Sequence, residues 1–157
     1  MFATAFLLAA QAAAPDLSPF APFVRSCWRA EFTATMHDTH CFELMYRGAH
    51  VRDRHEVEEG GKIVYAGETI YSVDGPNLVF TYVNSLGGVG TGKVARSKSM
   101  LGFKGSMRAS PDKAQQPIDS EWRVVDDDHY EARSLVPSVG GKPEKPLLFT
   151  RVEERPK

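Results

Sequence analysis

The chain has 157 residues, with 19 Lys and Arg against 20 Asp and Glu, and a formal net charge of −1. This balance gives no electrostatic reason to bind nucleic acid or an anionic membrane surface, and the length suits one domain with its own core. Beyond the N-terminus, no apolar stretch approaches the roughly 20 residues of a membrane span, and two cysteines are too few for a disulfide scaffold.

The N-terminal segment has the pattern of an export signal. Residues 2–14 read FATAFLLAAQAAA, which is free of charge and ends at Pro15. Ala10-Gln11-Ala12 offers the small-x-small pattern that a signal peptidase accepts. We expect residues 1–14 to be a signal peptide of a periplasmic or secreted protein, followed by one domain over residues 15–157. An N-terminal core helix is the alternative.

After Pro15 the dominant hydrophobic period is two. Trp28, Ala30 and Phe32 alternate with polar residues, as expected for half-buried strands. The runs that fit are 28–34, 41–46, 51–57, 62–72, 78–84, 100–109, 118–124, 130–136 and 146–153. Turn-forming residues separate them, and no segment of the domain carries a helical stripe. The pattern predicts an all-β domain of about nine or ten antiparallel strands. An up-and-down barrel is favoured over a sandwich because closure removes exposed strand edges.

The expected inward face mixes small and large side chains. The small residues are Ala30, Ala34, Gly105, Ser120, Ala132 and Ser134. The large ones are Trp28, Phe32, Phe103, Met107, Trp122 and Tyr130. This mixture suggests space for a pocket. In the alternative, large and small residues interdigitate and fill the barrel.

Four blocks of sequence resemble the uncharacterised bacterial lipocalin-like (calycin-type) β-barrel proteins. They are LSPFAPFVRSCWRAEF (17–32), GAHVRDRHEV (48–57), YAGETIYSVDGPNLVFTYVNSLGG (65–88) and LLFTRVEE (147–154). The resemblance implies that an apolar N-terminal turn closes the barrel bottom and that Trp28 opens the first strand. It also implies that Arg151 on the last strand covers this tryptophan, a contact worth about 0.5–2 kcal/mol. Ser26 departs from the family's Gly-x-Trp.

The glycine-rich segment 87–94 almost matches a phosphate-binding loop. Val94 stands where that loop needs a hydroxyl for magnesium, and the following residues do not read as a helix. We therefore predict no nucleotide site and expect a flexible connection, with a role as a lid as one option.

His37 lies within a turn predicted over residues 36–39, and His40 follows it, beside Cys41. This loose trio is compatible with a soft divalent ion, but an exposed polar turn explains it as well, so no metal or cofactor is expected. The same turn would place Cys41 opposite Thr35 or Ala34. Cys27 would then lie roughly 23–26 Å away along the strand, so free thiols are predicted.

Asp53 and His55 share the expected inward face with Val51 and Val57. Buried polar groups need partners, so the two residues either orient a ligand, act as an acid/base pair, or form a structural pair with Tyr71 or Tyr82. The candidate ligand-binding residues are Asp53, His55, Tyr71, Tyr82, Phe103 and Trp122.

The expected function is a barrel that binds a small, mainly hydrophobic molecule in its interior. The alternatives are an enzyme that uses His55 as acid or base with Asp53 as its orienter, and an envelope-interaction domain with a filled barrel. The sequence leaves the ligand and the oligomeric state open.

Overall fold

The computed structural model describes residues 16–136 and 145–152, which form a closed antiparallel barrel of ten strands. The strands are β1 (Ser26–Glu31), β2 (Met36–Met45), β3 (His50–Glu59), β4 (Lys62–Asp74), β5 (Asn77–Asn84), β6 (Val89–Ser97), β7 (Met100–Arg108), β8 (Gln116–Val124), β9 (His129–Ser134) and β10 (Leu147–Val152). Each strand pairs with its neighbours in sequence, and β1 pairs with β10 to close the barrel. The predicted all-β up-and-down barrel is therefore confirmed. The predicted signal peptide lies outside the described residues.

Helical structure in the described ranges is limited to single 3-10 turns at Ser18–Phe20 and Tyr46–Gly48. No helix there has the length and apolar character to cross a membrane.

An aromatic plug closes one end of the barrel. The turn Ser18–Phe20 brings Phe20 and Phe23 into the interior, where Phe20 stacks on Tyr71 with ring centroids 4.2 Å apart. The Trp28 indole donates a hydrogen bond of 3.3 Å to the Phe23 carbonyl. Buried aromatic side chains therefore fill this end of the barrel.

The Arg151 guanidinium covers Trp28 at the plugged end, in the position that the sequence resemblance implies. Its central carbon lies 4.5 Å from the centre of the Trp28 ring. The Arg151 Nε also donates a hydrogen bond of 3.0 Å to the Asp127 carbonyl. The side chain therefore ties the last strand to the first strand and to the β8–β9 turn.

The β1–β2 hairpin differs from the prediction. Its turn covers residues 32–35, where the Phe32 N–H donates to the Met36 carbonyl at 2.9 Å and the Thr33 hydroxyl accepts from the Met36 N–H at 3.0 Å. The Thr33 side chain thus helps to close the turn. The turn was predicted at residues 36–39, but these residues begin β2. Phe32 and Ala34, expected inside the barrel, lie at this turn; Phe32 is 40% exposed.

The corrected hairpin also changes the cysteines. Moving the turn four residues towards the N-terminus places Cys27 directly opposite Cys41, with Cα atoms 4.1 Å apart, and the two form a disulfide. The prediction of free thiols is therefore wrong because it rested on the wrong register.

The glycine-rich segment is largely strand. Only its start lies in the β5–β6 turn, where the Asn84 side chain accepts hydrogen bonds from the N–H groups of Leu86 (3.0 Å) and Gly88 (2.8 Å). Gly92 lies within β6, and a Cβ there would lie 2.5 Å from a Phe80 ring carbon. The expected flexible connection is therefore wrong for residues 89–94, which belong to β6. Gly92 instead lets the barrel wall approach the Phe80 ring closely.

Candidate functional site

A cavity of about 250 Å³ lies beside the aromatic plug. It is lined by His40, His55, Thr69, Tyr71, Phe80, Tyr82, Phe103, Met107, Ile118, Ser120 and Trp122. Tyr71 and Trp122 connect the cavity to the plug, since their rings contact Phe20 and Phe23. Most of the wall is aromatic or aliphatic, and histidine and tyrosine polar groups lie together on the side formed by β2 to β5.

His40, which lines the cavity, is the centre of a polar network that extends behind this wall. Its Nδ1 lies 2.9 Å from Asp53 Oδ2, and its Nε2 lies 3.2 Å from Asp38 Oδ2. A carboxylate only accepts hydrogen bonds, so His40 donates from both nitrogens and is the imidazolium. Asp53 is 1% exposed, which makes it the most deeply buried acid of the network.

The network continues from Asp38 to the cavity surface. Asp38 Oδ1 accepts from His55 Nδ1 at 3.4 Å, and His55 Nε2 lies 3.3 Å from the Tyr82 hydroxyl. The hydroxyls of Tyr82 and Tyr65 are also in hydrogen-bond contact. With Nδ1 protonated, His55 accepts from the Tyr82 O–H, and the donor direction runs from the tyrosines towards the acids.

Strand pairing explains why these groups meet. On β2 and β3, His40 lies opposite His55 and Phe42 lies opposite Asp53, so the period of two turns all four side chains inward. On β4, Gly67 lies opposite His55. A Cβ on Gly67 would lie 2.3 Å from His55 Nε2, so the glycine is what leaves room for the imidazole.

The electrostatics of the network favour its charged form. Burial alone would lower the pKa of His40, but the charge of Asp53 and the hydrogen bonds to Asp38 and Asp53 raise that pKa to about 10. Burial would raise the pKa of Asp38, but hydrogen bonds from His40 and His55 hold it well below its usual range. Burial and the hydrogen bond with Tyr65 raise the pKa of Tyr82 well above its ordinary value, so Tyr82 presents a neutral hydroxyl.

The structure gathers most of the residues selected from the sequence. His55, Tyr71, Tyr82, Phe103 and Trp122 all line the cavity. Their role in ligand binding stays a prediction.

Asp53 lies behind the wall and bonds to His40. His55 bonds to Asp38 and Tyr82, so the contact of Asp53 with His55 that the enzyme alternative uses is not formed among the described residues. Asp38, His40 and Tyr65 were not selected. The signal was present, because the alternation of Asp38, His40 and Phe42 marks one face of a strand, but the misplaced turn interrupted it.

The same network contains a set of metal-ligand atoms. Asp38, His40 and His55 each offer one such atom, and these atoms lie within 4.8 Å of one another. The looser trio considered from the sequence does not assemble. Cys41 is in the disulfide, and His37 lies 4.0 Å from Glu31 and 3.8 Å from Glu58.

Neither a protein-family model nor a curated protein matches this sequence.

Proposed function

We propose that this protein is an exported, lipocalin-like barrel that binds a small, mainly apolar molecule in its interior. The observation that carries the proposal is the cavity of about 250 Å³, which has apolar walls and one polar side formed by His55 and Tyr82. Ligand sites commonly combine apolar walls with a few convergent polar groups that orient the ligand.

The cavity volume limits the size of the ligand. A dry cavity of about 150 Å³ accepts benzene, and sites for drug-sized ligands begin at about 300 Å³. A volume of about 250 Å³ therefore suits one substituted ring. The rings of Phe80, Phe103 and Trp122 favour an aromatic molecule, and a hydroxyl or carbonyl on it would face Tyr82.

Two further observations support the compartment and the lineage. The Cys27–Cys41 disulfide supports an oxidising compartment, as expected for a periplasmic or secreted protein. The plug around Phe20 and the stacking of Arg151 on Trp28 support a lipocalin-like relationship. The closed barrel has ten strands.

Binding can be tested with para-cresol and toluene, which differ by one hydroxyl. Trp122 lines the cavity and Trp28 lies in the plug, so ligand entry should change the fluorescence of Trp122. We expect saturable binding of one molecule in chelator-treated protein. Cresol should bind about 2- to 10-fold more tightly than toluene, because one neutral hydrogen bond contributes about 0.5–1.5 kcal/mol.

A matched pair of variants checks the location. Ser120→Leu places an apolar side chain in the cavity, and Thr81→Leu makes a similar change at an exposed position on β5. We expect Ser120→Leu to abolish cresol binding and Thr81→Leu to retain it. No saturable binding by the folded protein, or equal binding by both variants, would refute the proposal.

The position of His55 favours acid/base chemistry as a second candidate function. The imidazole lies on the cavity wall between Asp38 and Tyr82, so the carboxylate that orients it is Asp38 rather than Asp53. Acetophenone has the size of the cavity and carries exchangeable methyl protons. Catalysed deuterium exchange of these protons, lost in His55→Gln and kept in His37→Gln, would support this role. Bound acetophenone that does not exchange would exclude proton abstraction from this ketone.

A further inference from the structure

We propose that Asp38, His40 and His55 bind one divalent transition-metal ion of the Zn²⁺ class on the cavity wall. The proposal does not require the apolar ligand described above.

The donor set has the right chemistry and spacing. Two imidazole nitrogens and one carboxylate oxygen are a set that protein Zn²⁺ and non-haem Fe²⁺ sites use. Bonds of about 2.0–2.1 Å place neighbouring donors of a tetrahedral ion roughly 3.3 Å apart. Asp38 Oδ2 lies 3.2 Å from His40 Nε2, and Asp38 Oδ1 lies 3.4 Å from His55 Nδ1. With one ligand atom from each residue, all three donors lie within 4.8 Å of one another.

The second nitrogen of each histidine is held by another group. His40 turns Nε2 towards Asp38 while Asp53 accepts from its Nδ1 at 2.9 Å. His55 turns Nδ1 towards Asp38 while Tyr82 contacts its Nε2 at 3.3 Å. In metal sites, a ligating histidine donates its second N–H to such a group, which fixes the direction of the lone pair. With the ion on Nδ1, His55 would donate from Nε2 to the Tyr82 oxygen.

A divalent ion would also balance the buried charge. Asp38 and Asp53 are both buried, and their ion pairs in the described part of the chain are with histidines. With His40 as the imidazolium and His55 neutral, the two carboxylates leave one negative charge in the network, whereas one divalent cation with both imidazoles neutral balances both carboxylates. The cation places its charge at the centre of the donor set.

The ion would face the cavity. His40 and His55 both line it, and three protein ligands leave at least one coordination position for another molecule. If the proposed binding function also holds, the bound aromatic molecule would carry an oxygen donor, such as a phenol or a carboxylate.

Co²⁺ is the probe for the test, and Zn²⁺ is its competitor. Full-length, chelator-treated protein should bind one equivalent of Co²⁺ with visible absorbance, and Zn²⁺ should remove that absorbance. Paramagnetic Co²⁺ should broaden or shift the NMR signals of Tyr82 and Trp122 more strongly than those of His129. This mapping uses the unaltered chain, so it does not depend on the folding of a variant.

Three variants give the matched comparison. His55→Gln should lose the Co²⁺ spectrum, and Asp53→Asn should keep one site but bind about 10- to 100-fold more weakly. His37→Gln should behave as the unaltered chain, although His37 also lies beside carboxylates. Far-ultraviolet circular dichroism verifies that each variant is folded.

The proposal is overturned if the folded, unaltered chain takes up no Co²⁺. It is also overturned if binding is lost in His37→Gln, or if the paramagnetic effects centre on His37 or His129. Cresol binding is measured without metal, and Co²⁺ binding without cresol, so failure of one proposal is distinguishable from failure of the other.

Discussion

Replacing Gly67 with alanine should damage the site through a single methyl group. The new Cβ would lie 2.3 Å from His55 Nε2 and 2.7 Å from the Tyr82 hydroxyl. Neither side chain can retreat freely, because His55 is bonded to Asp38 and Tyr82 contacts Tyr65. Overpacking of this kind costs about 1–3 kcal/mol, and the reduced freedom of the unfolded chain returns about 0.4–1 kcal/mol. The free energy of unfolding should therefore fall by about 1–2 kcal/mol.

Gly102→Ala is the matched control. Gly102 also lies within a strand, and a Cβ there would meet nothing within 4 Å. This variant should be as stable as the unaltered chain or more stable by up to about 1 kcal/mol. Urea unfolding followed by tryptophan fluorescence measures both variants, and cresol titration measures their binding. Equal stability and equal cresol affinity of Gly67→Ala and Gly102→Ala would refute the predicted clash of a side chain at position 67 with His55 and Tyr82.

Other predictions concern the covalent link, the plug and a buried hydroxyl. The Cys27→Ala/Cys41→Ala variant should lose about 3 kcal/mol in urea unfolding, because the disulfide spans 14 positions; an unchanged midpoint would contradict this. Arg151→Met should lose about 1–2 kcal/mol through its contacts with Trp28 and the Asp127 carbonyl, and recovery by Arg151→Lys should be incomplete because lysine lacks the planar fork. Tyr130→Phe should be more stable by about 1 kcal/mol, because the buried Tyr130 hydroxyl has no hydrogen-bond partner among the described residues. Burial raises the pKa of Tyr130 well above 10.0, so just above pH 10 the phenol ionises only in the unfolded chain. This ionisation lowers the free energy of unfolding of the unaltered chain but not that of Tyr130→Phe. The difference in stability between the two should therefore widen by about 1.4 kcal/mol per pH unit until the folded phenol also ionises. Unfolding curves at neutral and alkaline pH measure this gap, and a constant gap would show that Tyr130 ionises in the folded barrel.

The strands were predictable because the alternation of apolar and polar residues lies within each strand. Alternation along 118–124 or 28–31 reports a half-buried strand without knowledge of any partner, and short turns between strands restrict the topology to neighbours in sequence. Cavity residues such as Trp122 and Tyr82 follow from the same rule, since their strands were identified correctly. Strand β6 was missed because Gly90 and Gly92 take the inward positions, where the side-chain signal of a strand is absent.

The polar network was not predictable from single strands because it depends on pairing. His40 bonds to Asp53, and Asp38 bonds to His55, only in the register that pairs β2 with β3. No pattern within a single strand predicts that register. Residues 36–39, predicted as a turn, include three polar side chains, at His37, Asp38 and Thr39. Polar residues at these positions are compatible with a strand here because their partners lie on the next strand.

One displacement of the β1–β2 turn accounts for both the missed disulfide and the missed histidine. With the turn at residues 32–35, Cys41 faces Cys27 and the adjacent His40 pairs with Trp28. Adjacent residues of a strand point to opposite faces, so the register that brings the two sulfur atoms together also turns His40 inward. A register shifted by one residue would separate the cysteines and turn His40 outward. Detection of the Cys27–Cys41 bond by peptide mapping of unreduced protein would thus be evidence on the orientation of His40, obtained without any ligand, metal or activity assay.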